Sequence, residues 1–235
     1  MLEIYAVKHE EKIDGLKYLK LLSYVPEAKK NQIERFLRWG NAQQALIADV
    51  LTRSIIGKKL RLKNHEIIFE KNEHGKPFLK NSSDFHFNNS HAGAWIICAA
   101  SDKEVGIDVE IVKPRTFDIA KRFFSQEEYE ELMAKKEEER LDHFYSLWTL
   151  KESYLKAVGK GLSLPLNDFT ISIRGEETVL KDASGNRLNT FSFRRYEIDK
   201  GYKLSVCAAG EIVCEKLVFR TLDEVIKTLH IDRIA

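Results

Sequence analysis

Two acidic residues in the middle of the chain alternate with apolar ones, in the order Gly106-Ile107-Asp108-Val109-Glu110. Alternate side chains of a β-strand share a face, so Asp108 and Glu110 point the same way, with Cα atoms roughly 6.6 Å apart. Two carboxylates this close repel each other unless a positive charge lies between them, and Mg²⁺ prefers such oxygen ligands. The alternative is the solvated outer face of an amphipathic strand, which is far commoner for an isolated D-x-E.

A second charged group follows in Trp148-Thr-Leu-Lys151-Glu152-Ser-Tyr-Leu-Lys156. At helical spacing the apolar residues form one arc, and Lys151 falls inside it, where an unpaired ammonium is costly. Glu152 lies at the edge of the arc, and Lys156 lies one turn further along. A surface ion pair explains Glu152 and Lys156 but not Lys151. A third carboxylate flanked by two lysines would suit a metal-bound phosphate.

Two shorter motifs hold further polar side chains, Gly75-Lys76-Pro77 and Phe87-Asn88-Asn89-Ser90-His91. Adjacent residues of an extended chain point apart, so Ser90 and His91 do not form a nucleophile and its base. They either donate hydrogen bonds to a phosphate or cap a turn. Lys76 is either a solvated lysine or a charge that its tight turn positions.

These side chains require a scaffold of mixed helices and strands. A long helical stretch is predicted from Pro26 to about Ile56, ended by Gly57. The S-x-x-E pattern of Ser125 and Glu128 is typical of a capping box, which starts a helix at Ser125. A second helix is predicted from about 142 to 158, ending near Gly159. Strands are predicted at about 66–69, 85–88, 95–100, 105–110, 169–173, 191–198 and 203–209.

One segment occurs twice in similar form. Trp95-Ile-Ile-Cys-Ala-Ala-Ser resembles Leu204-Ser-Val-Cys-Ala-Ala-Gly, and each closes a series of a helix followed by strands. Coincidence and duplication both explain a likeness of this length. Duplication predicts two α+β halves with a cleft between them, which is a common place for a ligand site.

The composition excludes several classes of protein. The formal net charge of +2 gives no preference for nucleic acid or an anionic membrane. The N-terminus lacks the apolar run of a secretory peptide, and the longest apolar run, 94–100, is too short to span a bilayer. The cysteines at 98, 207 and 214 form no CxxC pair. We expect a cytoplasmic protein that binds neither nucleic acid nor membranes.

In chain order, these motifs resemble the 4′-phosphopantetheinyl transferases of the surfactin-synthetase-activating, or gramicidin-synthetase-associated, type. The similarity runs from about Pro26 to Ala209, and the joint order and spacing of the motifs make chance improbable. It rests on Gly75-Lys76-Pro77, Phe87-Asn88-x-Ser90-His91, Gly106-Ile107-Asp108-Val109-Glu110, Phe124-Ser125-x-x-Glu128 and Trp148-x-x-Lys151-Glu152-x-x-x-Lys156.

The resemblance implies an α+β fold of two similar halves, 1–104 and 105–235, with the active site in the cleft and the metal in the second half. It implies a monomer that transfers phosphopantetheine from coenzyme A to a serine of a carrier protein. The carriers would be acyl or peptidyl carrier domains of nonribosomal peptide, polyketide or fatty acid synthases, with a role in antibiotic biosynthesis. Adenosine 3′,5′-bisphosphate would be released.

The resemblance also implies roles for individual residues. Metal ligands fall on Asp108, Glu110 and Glu152. Coenzyme-binding positions fall on Lys76, Ser90, His91, Lys156 and also Lys29. Glu152 is then the candidate base, Lys156 would stabilise the leaving group, and Lys151 would either serve the phosphates or hold Glu152. Gln32 and the pair Gln44-Ala45 depart from the family pattern, which puts contacts to the 3′-phosphate in doubt.

Two other functions use parts of the same pattern. A magnesium-dependent nucleotide phosphohydrolase would need the carboxylates but no protein acceptor. A non-catalytic carrier-binding module would need no metal cluster. For a transferase, we expect the carrier to dock near Gly159 to Thr190, where Leu162, Leu164 and Leu166 are either docking residues or core.

Overall fold

The chain folds into two α+β halves, each with a 22-residue helix packed on a β-sheet. This structure is a computed structural model, and it describes residues 1–212 and 217–231. Cys214 therefore lies outside the described residues, as does the side chain of Leu162. The predicted α+β class is confirmed.

The first half contains three helices and five strands among the described residues. The helices are α1 (Gly15–Leu22), α2 (Glu27–Glu34) and α3 (Trp39–Leu60), with a short 3₁₀ turn at Asn64–Glu66. The strands are β1 (Glu3–Lys8), β2 (Phe69–Lys71), β3 (Pro77–Leu79), β4 (His86–Ala92) and β5 (Trp95–Ser101).

The rest of the described chain begins with the strand that carries Asp108. The strands are β6 (Val105–Ile111), β7 (Thr170–Arg174), β8 (Glu177–Lys181), β9 (Arg187–Leu188), β10 (Phe191–Tyr196), β11 (Tyr202–Ala209) and β12 (Leu217–Arg220). The helices are α4 (Asp118–Phe123), α5 (Gln126–Ala134), α6 (Glu137–Val158) and α7 (Leu222–Ile231). Short 3₁₀ turns lie at Gly161–Ser163 and Leu166–Asp168.

The repeated segment occupies equivalent places in the two halves. One copy is β5, which lies inside a sheet of order β12-β1-β5-β4. The other copy forms most of β11, which lies inside a sheet of order β10-β11-β6. The likeness thus falls on a buried interior strand of each half.

Three apolar clusters hold these layers together. One lies between α3 and the first sheet, and another lies between α6 and the second half's strands. The third joins the opposite faces of the two sheets and includes Ile4, Ile97, Ile107 and Val206. Val105, Ile107 and Val109 belong to this third cluster, so Asp108 and Glu110 occupy the other face of β6, as the alternation predicts.

The last strand and helix return to the first half. Strand β12 pairs in parallel with β1, and α7 contributes Leu222, Val225 and Leu229 to the first half's core. The division of the chain between residues 104 and 105 stays a prediction. None of the helices in the described residues is long and apolar enough to cross a membrane.

The helix predictions are partly right. The stretch predicted from Pro26 to Ile56 contains two helices, α2 and α3. The helical conformation is interrupted between Glu34 and Trp39. Gly57 does not end α3, which continues to Leu60 and is followed by Arg61 at φ 55°. The capping box is confirmed, since the Ser125 hydroxyl accepts from the Glu128 N–H and the Glu128 carboxylate accepts from the Ser125 N–H.

The leucines after α6 mostly serve the core. Leu166 is buried in the second half's cluster, and Leu164 packs against it. These contacts favour the core interpretation for both residues. The docking of a carrier near Gly159 to Thr190 stays a prediction.

Candidate active site

Helix α6 approaches β6 unusually closely because Gly106 has no side chain. A Cβ at Gly106 would lie 2.0 Å from the carbonyl oxygen of Ser153 and 2.3 Å from the amide nitrogen of Ala157. Real Cβ atoms do not come this near to backbone atoms. The glycine therefore permits the contact that brings Glu152 and Lys156 of α6 beside Asp108 of β6.

The two sheets meet at this point through side chains. Strand β4 is an edge of the first sheet and β6 is an edge of the second. Asn88 Oδ1 accepts from the N–H of Ile107 at 3.0 Å, and Ser90 Oγ accepts from the N–H of Val109 at 3.2 Å. Two polar side chains on the β4 edge thus satisfy two buried amides of β6.

Most of the predicted site residues line one small cavity at this junction. Its volume is about 410 Å³. We call it the junction cavity, and it is lined by Asn89, Ser90, His91, Asp108, Val109, Glu110, Trp148, Glu152 and Lys156. The structure therefore brings together residues from β4, β6 and α6 that are far apart in the sequence.

Asp108 is the most buried acid of the junction cavity, only 5% exposed. Its Oδ1 accepts from Lys156 Nζ at 2.6 Å and from Ser90 Oγ at 3.0 Å. Its Oδ2 is buried and has no hydrogen-bond partner in the described residues. A buried carboxylate oxygen without a donor is costly, so the site has acceptor capacity that these residues do not use.

The other two acids are held in an environment that disfavours their charge. Burial, followed by the charge of Asp108, raises the pKa of Glu110 to about 7. Burial and the same neighbouring carboxylate also raise the pKa of Glu152. Clustered carboxylates with raised pKa values are typical of functional sites, and a cation would relieve their repulsion.

The donor set fits a hard cation such as Mg²⁺, which prefers carboxylate oxygens. The unpartnered Oδ2 of Asp108 supports this fit. In the part of the chain that the structure describes, however, no three acidic, histidine or cysteine side chains are grouped as the ligands of one ion. Lys156 stands at Asp108 instead, so the side chains would have to rearrange to bind a metal.

Lys156 and His91 are the two basic side chains that line the junction cavity. Lys156 Nζ also donates to the carbonyl of Ile107 at 3.1 Å. Displacement of solvent from the His91 ring, followed by the charge of Lys156, lowers the pKa of His91. A neutral imidazole still offers one N–H to a ligand.

Lys151 lies outside the junction cavity. Its side chain is 0% exposed, and its Nζ donates to both carboxylate oxygens of Glu128 at 2.6 and 2.7 Å and to the carbonyl of Phe169 at 2.8 Å. Burial lowers the pKa of Lys151 to about 8, against the opposing effect of Glu128. Neither of the two predicted uses of Lys151, at the phosphates or on Glu152, matches these contacts.

Lys76 connects the two halves of the molecule. Its Nζ donates to the carbonyls of Ala157 at 2.8 Å and Val105 at 3.2 Å, and burial lowers its pKa to about 8. Asn72, in the same loop, donates to the carbonyl of Gly159 at 2.8 Å. The loop therefore holds the end of α6, and a direct contact of Lys76 with coenzyme A stays a prediction.

A larger cavity of about 1050 Å³ opens in the first half. It is lined by Lys29, whose ammonium is 3.9 Å from the Asp49 carboxylate, and by Gln32 and Ala45, two of the three residues that depart from the family pattern. Gln44 instead donates to the carbonyl of Gly93. Asn89 and His91 line both the larger cavity and the junction cavity, so the two cavities adjoin.

The sequence did not single out Asn88 or Asn72 for the structural work they do. Asn88 and Ser90 lie two residues apart on one strand, and both are buried. Polar residues at alternate positions of a buried strand indicate partners across an edge, and this signal was available in the sequence. The sequence gives no such signal for Asn72, because its partner, the carbonyl of Gly159, lies 87 residues away.

Two family models match consecutive parts of the chain. Residues 15–103 match the N-terminal region of a 4′-phosphopantetheinyl transferase. Residues 104–207 match the 4′-phosphopantetheinyl transferase superfamily.

Individual 4′-phosphopantetheinyl transferases are similar to this chain over most of its length. The 4′-phosphopantetheinyl transferase Sfp of Bacillus subtilis (strain 168) is 36% identical over 225 residues, which cover 96% of this chain and 100% of that protein. The 4′-phosphopantetheinyl transferase gsp of Aneurinibacillus migulanus is 36% identical over 88% of this chain and 86% of its own. A solved holo-[acyl-carrier-protein] synthase of Helicobacter pylori, in complex with coenzyme A, is 20% identical with a TM-score of 0.35, over 45% of this chain and 99% of that one.

Proposed function

Since the chain belongs to the 4′-phosphopantetheinyl transferases, of the Sfp type, we propose that it transfers 4′-phosphopantetheine from coenzyme A to a serine of a carrier protein. Adenosine 3′,5′-bisphosphate is the other product. The observation that carries the proposal is the junction cavity, where three carboxylates, a lysine, a serine and a histidine of the matched motifs face one space.

The acceptor serine needs a group to take its proton as it attacks the β-phosphorus of coenzyme A. Glu152 is the candidate base, because it lines the junction cavity and burial raises its pKa, which makes it a better proton acceptor than an ordinary glutamate. The bond between the β-phosphorus and the bridging oxygen of the diphosphate breaks, and that oxygen leaves on adenosine 3′,5′-bisphosphate and gains negative charge. Lys156 lies in the same cavity and would stabilise that charge.

We assign a magnesium ion to Asp108, Glu110 and Glu152. When bound, it would neutralise charge on the diphosphate, which is one of the main roles of a metal in phosphoryl transfer. The raised pKa values of Glu110 and Glu152 and the unpartnered Oδ2 of Asp108 support this assignment.

Coenzyme A is long enough to occupy both cavities. Its diphosphate would lie in the junction cavity near Ser90, His91 and Lys156, and its nucleotide would extend into the larger cavity near Lys29. The shared walls at Asn89 and His91 support this path. Gln32 and Ala45 in the larger cavity offer no charge, so a phosphate there would depend on the cations that line the same cavity, Lys29, Lys71 and Arg53. Arg53 is already paired with Asp49.

The carriers are acyl or peptidyl carrier domains of nonribosomal peptide, polyketide or fatty acid synthases, and the protein acts as a cytoplasmic monomer. The free, buried thiols of Cys98 and Cys207 fit a reducing compartment.

The test is mass spectrometry of an apo carrier domain incubated with the protein, Mg²⁺ and coenzyme A. A gain of the phosphopantetheine mass on the carrier serine is expected, together with release of adenosine 3′,5′-bisphosphate. Cleavage of coenzyme A without carrier would instead indicate a phosphohydrolase. Binding of the carrier without any mass gain would indicate a non-catalytic binding module.

A further inference from the structure

The ammonium of Lys156 has a full set of acceptors. It donates to Asp108 Oδ1 at 2.6 Å, to the carbonyl of Ile107 at 3.1 Å and to Ser90 Oγ at 3.2 Å. An ammonium has three protons, so these three contacts use all of its donors. In this state Lys156 has no proton left for a phosphate.

One oxygen of Asp108 is equally committed. Its Oδ1 accepts from both Lys156 and Ser90, and its Oδ2 is buried away from solvent. A Mg²⁺ ion needs direct contact with an oxygen at about 2.0–2.1 Å. Oδ1 does not offer that contact while it accepts from the ammonium and the Ser90 hydroxyl. Oδ2 has no donor, but the positive charge of Lys156 beside the same carboxylate repels a second cation there.

Building on the proposed function, we infer that Lys156 is an internal cation for Asp108 in the free protein. It holds the carboxylate until coenzyme A binds, and it then moves to the coenzyme diphosphate and leaves Asp108 to the metal. The free protein therefore binds a divalent cation weakly, and coenzyme A increases its affinity for the metal.

The side chain of Lys156 is suited to this exchange. It is 28% exposed while the side chain of Asp108 is only 6% exposed, so the ammonium is the partner that has room to move. A diphosphate carries more negative charge than one carboxylate, so it can compete for the ammonium. The carboxylate that is left without its lysine then has a charge that only another cation can balance.

The inference is tested by titrating the free protein with Mn²⁺ alone at about pH 8. Electron paramagnetic resonance measures how much Mn²⁺ is bound. Replacing Lys156 with methionine keeps the unbranched side chain up to the position of Cε and removes the charged ammonium. Lys156→Met should bind Mn²⁺ about tenfold more tightly than the wild type, because the competing cation is gone. Lys156→Arg keeps the charge and should bind Mn²⁺ as weakly as the wild type.

A double-mutant cycle with Asp108→Asn locates the effect. The gain from Lys156→Met should disappear when Asp108 is already an asparagine. Melting curves with and without Mn²⁺ accompany each variant, and Lys156→Gln replaces Lys156→Met if the latter does not fold. Equal or weaker Mn²⁺ binding by a folded, uncharged variant overturns the inference, as does a gain that persists without Asp108.

The same titration separates this inference from the proposed magnesium site. Wild type with saturating coenzyme A should bind Mn²⁺ tightly. If it does so while the Lys156 variants show no gain, the magnesium site stands and the internal cation is wrong. If the wild type fails to bind Mn²⁺ even with coenzyme A, both are wrong.

Discussion

At the scale of single residues, the charges of the junction cavity control one another. Asp108 is paired with Lys156, whereas Glu110 and Glu152 share the cavity without a direct positive partner of their own among the described contacts. Burial and the Asp108 charge raise the pKa values of both glutamates. The repulsion between these carboxylates is unfavourable in the free protein, and a ligand that carries a cation would relieve it.

Removing a carboxylate should abolish transfer while leaving the fold intact. Asp108→Asn and Glu152→Gln should each reduce the rate of carrier modification by about 100-fold or more, since each removes a proposed metal ligand and the latter also removes the proposed base. Both substitutions conserve shape, so the circular dichroism spectrum should not change. Near-normal transfer by either purified variant would contradict the assignment of these residues.

The rate of transfer should fall as the pH drops below about 7, the pKa to which Glu110 is raised. A protonated carboxyl neither binds a cation nor accepts a proton, and the raised pKa of Glu110 brings its protonation into this range, where protons compete with the metal. The rate should be measured between about pH 5.5 and pH 8.5 with saturating coenzyme A and carrier and with subsaturating Mg²⁺. A rate that is constant down to about pH 5.5 would mean that neither glutamate has to be ionised.

Glu110→Gln should stabilise the metal-free protein while slowing transfer. The pKa of Glu110 is raised from 4.5 to about 7 in the folded state, so its ionisation costs stability as the pH rises through that interval. Glu110 is only half-buried, so solvent screening leaves a cost of about 1 kcal/mol. The melting temperature of the variant should exceed that of the wild type by about 2–4 °C at about pH 8.

That difference should disappear near pH 4.5, where the wild-type glutamate also becomes neutral in the folded protein. Magnesium must be left out, because a bound cation would relieve the same repulsion. A variant that melts below the wild type at both pH values would show that Glu110 stabilises the fold.

At the scale of elements, α6 is fixed at two levels. Its face towards β6 rests against Gly106, and Lys151 ties its middle to Glu128 of α5 and to the start of β7. Glu152 and Lys156 lie on the same helix, so their positions depend on both contacts. Helix α6 is therefore positioned by residues that do not line the junction cavity.

Gly106→Ala should displace α6. The new methyl group would overlap backbone atoms of Ser153 and Ala157, which cannot move without the helix. Such overpacking typically costs about 1–3 kcal/mol, and transfer should be lost together with stability. Urea unfolding and the rate of transfer measure the two effects.

Gly15→Ala is the matched control. Gly15 begins α1, and a Cβ there would meet nothing within 4 Å. This control should keep or slightly raise the free energy of unfolding. If Gly106→Ala is as stable as the wild type, α6 and β6 can move apart enough to accommodate the methyl group.

The Lys151–Glu128 pair should behave as a structural ion pair. Lys151→Met leaves the carboxylate of Glu128 buried without its partner and should cost about 3–5 kcal/mol in the free energy of unfolding. Lys151→Met combined with Glu128→Gln leaves no buried charge and should recover much of that loss. Denaturant unfolding of the two single variants and the double variant measures the coupling.

Transfer by the double variant then separates structure from catalysis. If Lys151 acts only by holding α6, the recovery of stability should be accompanied by recovery of transfer at low temperature. If the double variant is stable and binds coenzyme A but does not transfer phosphopantetheine, Lys151 has a catalytic role as well.

At the scale of the whole molecule, the candidate active site depends on how the halves are joined. Asn88 and Ser90 connect the edges of the two sheets, and the loop with Asn72 and Lys76 holds the end of α6. The junction cavity lies beside the first of these connections. Its geometry is therefore a property of the joined halves and not of either half alone.

Asn88→Ala should weaken this junction. It removes the acceptor of the buried Ile107 N–H, and an unsatisfied buried donor costs about 1–3 kcal/mol. Hydrogen exchange of the Ile107 amide should become faster. Asn89→Ala is the control, because Asn89 bonds to Thr52 within the first half, and it should leave that exchange rate unchanged.

An unchanged exchange rate in Asn88→Ala would mean that other contacts hold β4 and β6 together.

The sequence by itself determined the local geometry of the site. Strand alternation places Asp108 and Glu110 on one face, and helical spacing places Glu152 and Lys156 on one row, because both follow from the periodicity of the backbone. The capping box of Ser125 and Glu128 is equally local, since its two residues are three positions apart. The family follows from the order of these motifs.

Only the tertiary structure decided which charges meet. Lys156 reaches Asp108 across 48 residues of chain, Lys151 reaches Glu128 across 23, and Lys76 reaches the carbonyl of Ala157 across 81. The helical pattern indicated that Lys151 needs an anion, but it could not say which one. The partner of a buried charge depends on the packing of distant elements, and no local periodicity encodes that packing.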